Sequence, residues 1–288
     1  MSLTFDSARV HNPYITSEHE AWRTQVRRFI EAEIMPYAES WDEKGNIPSD
    51  LWIKAAGVGL LGFGFPEEYG GTLKDIDVWH SWIISEELAR IGVGGVSASL
   101  MVHGIGLPPV INWGSSEMKQ RVAPAVLAGE KHISLGITEP GGGSDVASLS
   151  TTAIREGDVY IVNGSKTYIT GGMRANWVST AVRTGGGGAG GISMLLIPAD
   201  AEGFTRTELD RKQGWWASDT ATLYFDNVRV PVDQLIGEGN KSGNKAVQNF
   251  VDALVQQTKS IEKAVAVLGF STIEFEGSDS LDNPSAVQ

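Results

Sequence analysis

Residues 131–145, KHISLGITEPGGGSD, mark the point at which the chain changes its hydrophobic pattern. On the N-terminal side of Lys131, apolar residues recur roughly every three to four positions, which is the period of an amphipathic helix. On the C-terminal side, short runs of β-branched and aromatic residues alternate with glycine, asparagine and proline, which is typical of strands joined by turns. This stretch therefore separates a helical part of the chain from a β part.

The helical part, residues 1–130, is predicted to be an α-helical bundle. Its first helix begins at a capping box formed by Ser17 and Glu20. Further helices are predicted at residues 49–58, 75–91 and 115–127, and from residue 95 up to an interruption at prolines 108–109. The inward-facing residues of the helix at 75–91 are expected to include Val78, Trp82 and Ile83.

The β part, residues 131–237, is predicted to be a β-barrel or sandwich. Its strands are expected at residues 132–138, 159–163, 166–170, 177–183, 192–198 and 223–230. The pair Asn163-Gly164 can supply the positive φ angles of a two-residue turn, so it should join the second and third of these strands in a hairpin. The glycine-rich run at 185–191 is expected to be a mobile hairpin loop, because a phosphate cradle needs a helix N-terminus after it.

Residues 238–288 are expected to form a truncated C-terminal helical region. Apolar spacing predicts a helix from about residue 242 to residue 268, and the acidic tail after it is expected to be loosely ordered. The predicted fold class is therefore α+β and multidomain, with boundaries after residues 130 and 237.

The composition restricts the classes of function. The 288 residues include 23 Lys and Arg against 35 Asp and Glu, a formal net charge of −12, which disfavours nucleic acids and membrane surfaces as partners. Without cysteine there is no disulfide and no thiolate nucleophile, and the five histidines lack the spacing of a zinc-binding helix, so no metal site is predicted. Neither a signal peptide nor a spanning run of about 18–20 apolar residues is found, and a cytoplasmic protein is expected.

The segment 137–145 is the strongest candidate for a ligand site. Its glycines allow backbone N–H groups to approach a ligand closely, and the hydroxyls of Thr138 and Ser144 can bind a polar ring edge or a phosphate. Such a loop can hold a nucleotide, but an ordinary exit from a strand would use the same turn residues. The segment alone leaves both interpretations open.

Four segments together resemble the acyl-CoA dehydrogenase family of flavoproteins. They are FPEEYGG at 65–71, ITEPGGGSD at 137–145, YIVNGSKTYIT at 160–170, and FDNVRVP at 225–231 followed by LIGEG at 235–239. They occur in the family's order, and the resemblance covers residues 15 to about 250. It implies a helical N-terminal domain, a central β domain and a C-terminal four-helix domain, with FAD held between the last two.

The resemblance also assigns residues to the cofactor. The strand at 135–138 would lie along the flavin ring with the Thr138 hydroxyl at its pyrimidine side, and the Thr170 hydroxyl would approach atom N5. Tyr168 stands where the family usually has a tryptophan stacked on the flavin. The implied flavin-binding residues are Leu135, Ile137, Thr138, Gly143, Ser144, Tyr168, Ile169 and Thr170.

For the substrate, the resemblance makes residues 96–101 a candidate wall of the acyl pocket. The implied substrate contacts are Ser97, Met101 and, near the CoA moiety, Ser144. A simple buried helix is the alternative for residues 96–101. Glu139 matches a family position with a structural role.

The implied reaction is FAD-dependent α,β-desaturation of an acyl-CoA thioester, in which a carboxylate removes the α proton as hydride passes to flavin N5. Electron-transfer flavoprotein is the implied acceptor, and a homo-oligomer is a further expected partner. Compared with the family, the C-terminal domain is expected to be absent or rudimentary, through natural variation or truncation.

The matching residues do not identify the catalytic base. The family usually has an arginine at the position of Leu254, and some members place the base just before it, where this chain has Ala253. Glu276, in Phe-Glu-Gly-Ser at 275–278, faintly resembles the family's catalytic loop, and a chance match in an acidic tail is the alternative. Two other hypotheses stay open: a catalytically silent flavin- or CoA-binding fragment, and a related flavin oxidase or monooxygenase.

Overall fold

The computed structural model describes residues 11–210 and 212–237. The expected order, a helical part followed by a β part, is confirmed within these ranges. The predicted helix at 242–268, the positions Ala253 and Leu254, and the candidate base Glu276 lie outside the described residues.

The α-helices of the described residues all precede the first strand. They are α1 (Ser17–Phe29), α2 (Ala38–Lys44), α3 (Asp50–Gly57), α4 (Val78–Ala89), α5 (Gly94–Leu100), α6 (His103–Gly106), α7 (Pro108–Trp113) and α8 (Ser116–Leu127), and a π-helical turn (Ile30–Ile34) directly follows α1. The helices predicted at 49–58, 75–91 and 115–127 are confirmed as α3, α4 and α8. In the described ranges no single helix is long and apolar enough to cross a membrane. The pair formed by α5 and the segment His103–Trp113, with a bend of 43° between them, would be long and apolar enough by length and composition alone.

The predicted capping box of α1 is wrong by one residue. The N-cap is Thr16 instead of Ser17: its hydroxyl accepts a hydrogen bond from the His19 N–H at 3.4 Å, and the His19 ring accepts one from the Thr16 N–H at 3.0 Å. The other ring nitrogen of His19 lies 3.0 Å from the Asp77 carboxylate at the start of α4. Because this contact joins residues distant in sequence, the local pattern around Ser17 and Glu20 could not reveal which residues form the cap.

The buried face of α4 also differs from the prediction. Ile83 is buried, but Val78 and Trp82 are each 57% exposed, and the inward positions include Ile84, Glu87 and Leu88 instead. The apolar pattern was misleading because the inner face carries a charged residue, Glu87, whose carboxylate is paired with arginines. A buried ion pair replaces apolar residues on the face that periodicity would reserve for them.

The strands of the described residues form one sheet. They are β1 (Ile133–Gly136), β2 (Thr152–Glu156), β3 (Val159–Thr170), β4 (Trp177–Arg183), β5 (Ile192–Pro198), β6 (Phe204–Glu208), β7 (Thr220–Pro231) and β8 (Leu235–Ile236). The order is β6-β7-β3-β2-β4-β5-β8, and β1 pairs in parallel with β4. The predicted strands β1, β4, β5 and β7 are confirmed, whereas β2, β6 and β8 were not predicted. The glycine-rich run at 185–191 joins the antiparallel pair β4 and β5, as expected.

The predicted hairpin turn at Asn163-Gly164 is wrong. The two strands expected on either side of it form the single strand β3, and the real hairpin joins β2 to β3 through residues 157–158. The pairing of β3 with β7 slips between Val162 and Gly164, where the backbone of Gly164 has a φ of 142°. The sheet on both sides of β3 overrides the local turn preference. The extra residue at the slip lies in β7, where Asn227 has a φ of 53°, and Gly164 is needed because an added Cβ would lie 2.7 Å from the Thr151 Oγ1 atom.

Apolar side chains form three clusters, and one of them joins the helices to the sheet. That cluster combines residues of α7 and α8, such as Val110 and Val122, with Ile133 of β1 and Leu196 of β5. A Cβ atom added at Gly106 of α6 would lie 2.9 Å from the carbonyl oxygen of Ile133, so α6 packs directly on the backbone of β1. Strand β1 is therefore held between the helical part and β4.

Candidate functional site

The C-terminal end of β1 leads into the loop that the sequence singles out. Leu135, Ile137 and Thr138 are half-buried, and the chain then reverses in a turn closed by reciprocal hydrogen bonds between Glu139 and Gly142, at 3.0 and 3.1 Å. Next in the chain are Gly143 and Ser144, both exposed and in irregular backbone, as expected for a loop at the rim of a binding site.

The second half of β3 lies beside this segment. The backbone N–H of Thr167 donates to the carbonyl of Thr138 at 2.8 Å, and the Ser134 hydroxyl donates to the carbonyl of Thr170 at 2.9 Å. Residues 134–138 and 167–170, which are about 30 positions apart in sequence, are thus adjacent. Whether the hydroxyls of Thr138 and Thr170 face one cleft stays a prediction.

Three hydroxyls in this region have no hydrogen-bonding partner within the described part of the chain. They belong to Thr138, Ser144 and Thr170, and none of them is sealed from solvent. A free hydroxyl can both donate and accept, so this donor set suits the polar edge of a heterocycle or a phosphate. The residues therefore fit a flavin nucleotide, as the sequence predicts.

Tyr168 has an unusual backbone conformation at the same place. Its φ is 58°, a left-handed value that costs a non-glycine residue roughly 1–3 kcal/mol, and its side chain is 64% exposed. It sits where the pairing of β3 with β7 slips, between Lys166 and Ile169. The irregularity leaves a large aromatic face uncovered next to β1, which suits stacking on a planar ring.

A buried ion pair holds the loop to the sheet. The Lys166 ammonium, fully buried, donates to the Glu139 carboxylate at 2.8 Å and to the carbonyl of Ile137 at 3.0 Å. The same carboxylate accepts hydrogen bonds from the backbone N–H groups of Ser150 and Thr151, at 2.6 and 2.9 Å. Glu139 therefore has the structural role expected of it.

The hydrogen bonds also determine the charge of Glu139. Burial by itself raises the pKa of this carboxyl, but the hydrogen bonds from Lys166, Ser150 and Thr151 outweigh it and lower the pKa to about 2. Glu139 is thus ionised at neutral pH and is fully occupied by its partners, which makes it unsuitable as a general base.

Sequence reasoning missed Lys166. The alternation of side chains along β3 could have identified it. Tyr160 and Val162 face inward, and because every second residue of a strand lies on the same face, residue 166 faces inward too. A charged residue at an inward position requires a buried partner of opposite charge, and Glu139 was available in the preceding segment.

A separate groove lies along α4 and α5. It has a volume of about 620 Å³ and includes both predicted substrate contacts of α5, Ser97 and Met101. Its far wall is Trp215, from the segment between β6 and β7, which sequence reasoning did not identify. The residue after Met101 is Val102, whose side chain packs near Gly171, directly after Thr170. Met101, which lines the groove, is thus one residue from a contact with the segment assigned to the flavin.

A cluster that the sequence did not predict joins the starts of α1 and α4. Potential ligand atoms of His19, Asp77 and His80 lie within 4.8 Å of one another. Both rings are already engaged in helix caps, since the Nδ1 atom of each accepts from a backbone N–H, of Thr16 and of Asp77 respectively. The arrangement is accounted for by capping, and the absence of a metal stays a prediction.

Comparison with known proteins gives consistent matches on both sides of β1. The family model "Acyl-CoA dehydrogenase, N-terminal domain" matches residues 16–130, and "Acyl-CoA dehydrogenase, middle domain" matches residues 134–228. Over 256 residues the chain is 37% identical to an acyl-CoA dehydrogenase of Alternaria alternata, with 84% of this chain and 59% of that protein covered.

Solved structures agree in fold. A probable acyl-CoA dehydrogenase from Mycobacterium abscessus is similar with a TM-score of 0.77 and 48% identity, covering 81% of this chain and 62% of that one. A glutaryl-CoA dehydrogenase from Mycobacterium smegmatis in complex with FADH2 is similar with a TM-score of 0.71 and 29% identity, covering 83% and 60%. The chain thus spans less than two thirds of the length of these relatives.

Proposed function

Because the chain belongs to the acyl-CoA dehydrogenase family, we propose that it binds FAD beside β1 and acts in the α,β-desaturation of an acyl-CoA thioester. The observation that carries the proposal is the set of unpaired, accessible hydroxyls of Thr138, Ser144 and Thr170 around β1. FAD, when bound, supplies the acceptor for the substrate hydride.

The residues of β1 and β3 would hold the flavin ring. The hydroxyls of Thr138 and Thr170 would bind its polar edge, and the uncovered ring of Tyr168 would stack on it. Leu135, Ile137 and Ile169 would complete the site with main-chain and apolar contacts. The left-handed backbone at Tyr168 supports this role, since strained residues that persist in a fold concentrate at functional sites.

The loop after β1 would bind the phosphates or the pantetheine arm. Gly143 and Ser144 are exposed there, and glycine lets backbone N–H groups approach an anion closely. The ion pair between Glu139 and Lys166 keeps both ends of the loop on the sheet. Preorganisation of this kind removes the entropic cost of ordering the loop when ligand binds.

The acyl group would lie in the groove along α5, against Ser97 and Met101. Removal of the α proton needs a carboxylate near the α carbon, and the assignment of this role to Glu276 stays a prediction, because that residue lies outside the described ranges. Transfer of electrons to an electron-transfer flavoprotein and assembly into a homo-oligomer are parts of the same proposal.

A second candidate function is a silent flavin- or CoA-binding module. It is favoured by Leu254 and Ala253, which occupy the positions where the family has its arginine and, in some members, its base. Anaerobic mixing of the flavin-loaded protein with acyl-CoA separates the candidates. A dehydrogenase bleaches the flavin, a silent module leaves it oxidised, and a related oxidase produces peroxide when air is admitted.

Flavin binding is tested with the variant Thr170→Val. Loss of one hydroxyl contact is expected to weaken FAD binding about three- to tenfold, measured by titration of flavin fluorescence. The matched control is Thr205→Val on β6, which removes an exposed hydroxyl from another strand. Equal FAD affinities for the two variants would contradict the assignment of Thr170.

A further inference from the structure

The segment that carries Trp215 is built to hold this residue in an unfavourable conformation. Trp215 has a φ of 58°, a value that side chains with a Cβ atom rarely adopt. The Lys212 ammonium donates to the carbonyls of Trp215, at 2.9 Å, and of Ser218. Two residues after Trp215, the N–H of Ala217 donates to the Asp42 carboxylate at 2.8 Å, which ties the segment to the helical part.

The indole of Trp215 packs against the start of α5. A Cβ atom added at Gly94 would lie 2.5 Å from the Trp215 Nε1 atom, and one added at Gly95 would lie 2.9 Å from the Trp215 carbonyl carbon. Both positions therefore require glycine for this contact. Although it touches α5, Trp215 is still 60% exposed, because its remaining surface borders the groove.

The chemistry of the groove favours an apolar occupant. Its other walls include Ile84, Leu88, Val93 and Met101. The two serine hydroxyls that line it, Ser85 and Ser97, donate to the carbonyls of Ser81 and Leu88, at 3.1 and 3.4 Å. Since these hydroxyls are satisfied within the helices, they offer no strong anchor to a polar ligand, and burial of apolar surface would supply the affinity.

We propose that Trp215 is a specificity-determining residue, whose indole forms an apolar wall that favours an extended acyl chain in this groove. The proposal rests on the proposed function, and it adds the class of substrate. Met101 lines the groove and is followed by Val102, which contacts the segment assigned to the flavin. The volume of the groove, about 620 Å³, exceeds what a short acyl group fills. The indole adds an apolar wall to the groove beside the start of α5.

The test is equilibrium binding of S-alkyl thioethers of CoA, which lack the thioester and cannot be desaturated, to the flavin-loaded full chain. In the unchanged protein, affinity should rise roughly two- to fourfold per methylene from the ethyl to the octyl thioether. Trp215→Ala should reduce the octyl-to-ethyl affinity ratio at least fivefold, since one apolar wall is lost, while free CoA binds as before.

The matched control is Trp216→Ala. Trp216 is the adjacent exposed tryptophan, donates its own indole N–H to the carbonyl of Lys212 at 2.6 Å, and does not line the groove. The Trp216→Ala variant should leave the octyl-to-ethyl affinity ratio unchanged. Ala98→Leu, which fills the groove from α5, should reduce the ratio as well, and it decides the question if Trp215→Ala does not fold.

The outcomes separate this proposal from the proposed function. If thioethers bind but Trp215→Ala and Ala98→Leu retain the original ratio, the role of Trp215 is overturned while CoA binding stands. If neither CoA nor any thioether binds the flavin-loaded protein, the proposed function fails, and the role of Trp215 fails with it.

Discussion

Among the described residues, the helical part buries the carboxylate of Glu87, and the β part buries those of Glu139 and Asp219. Glu87 and Glu139 are paired in different ways. Glu87 of α4 accepts hydrogen bonds from Arg23 and Arg27 of α1, at 2.8–3.0 Å, and from Arg90 at 2.9 Å. Glu139 is paired with a single cation, Lys166, and takes its other bonds from the segment before β2. The first carboxylate joins two helices, whereas the second positions a loop.

The partners of the two carboxylates separate a charge that only stabilises helix packing from one that also positions the candidate site. Three guanidinium groups around Glu87 stabilise the packing of α1 on α4, and no residue assigned to a ligand takes part. The Lys166 ammonium also binds the carbonyl of Ile137, a residue assigned to the flavin. Removal of Glu87 should therefore change stability alone, and a change at the Glu139–Lys166 pair should alter stability and cofactor binding together.

The largest expected effect is that of Glu87→Gln. It leaves three buried or half-buried arginines without their shared anion, so the free energy of unfolding should fall by about 3–5 kcal/mol. Urea unfolding followed by circular dichroism measures the change. The matched control is Glu33→Gln, which removes an exposed carboxylate 2.8 Å from Lys54 and should leave the unfolding midpoint unchanged. A similar midpoint for both variants would contradict the role given to Glu87.

Lys166→Met should have a somewhat smaller effect on stability and an additional effect on the cofactor. It keeps the length of the side chain but leaves the buried Glu139 carboxylate without its cation, which should cost about 2–4 kcal/mol. The double variant Lys166→Met, Glu139→Gln should recover part of this loss, because no unpaired charge remains. FAD affinity, measured by titration, should fall in both; if it equals that of the unchanged protein, the pair does not position the site.

The smallest expected effect is a change in the pH dependence of stability, which should be alike when either carboxylate is replaced. Burial raises the pKa of Glu87, but hydrogen bonds from Arg27, Arg90 and Arg23 lower it to about 2, as the partners of Glu139 do for that residue. A carboxyl with a folded-state pKa below its unfolded value of about 4.3 stabilises the fold above that pH. This contribution should be lost progressively as the pH falls from about 5 to about 2.

The measurement is the unfolding midpoint as a function of pH. Glu87→Gln and Glu139→Gln should each flatten the decrease between about pH 5 and pH 2, because the variant has one fewer carboxyl to protonate. Flattening in one variant alone would show that the two carboxylates are not equivalent in charge, despite their similar pKa values.

Much of the site was accessible from local sequence. Thr138 and Ser144 belong to a segment whose glycines predict a ligand-binding loop. Tyr168 and Thr170, in the adjacent strand, were assigned to the site through the family resemblance. Lys166 was not recognised, because its importance depends on Glu139, 27 positions earlier in the chain. Trp215 was missed for a similar reason: its role depends on Gly94 and Gly95, which belong to the other part of the molecule.

Hydrophobic period and turn residues act over short distances along the chain, so local sequence was enough to predict the order of a helical part and a β part and most element positions. The family was indicated by its four matching motifs. Only contacts in the folded chain fix the cap at Thr16, the charged inner face of α4 and the continuous strand through Gly164, where local preference pointed elsewhere. In each case the structure adds a contact with a residue distant in sequence, such as Asp77 for His19 or Arg23 for Glu87, and a local pattern carries no information about that partner.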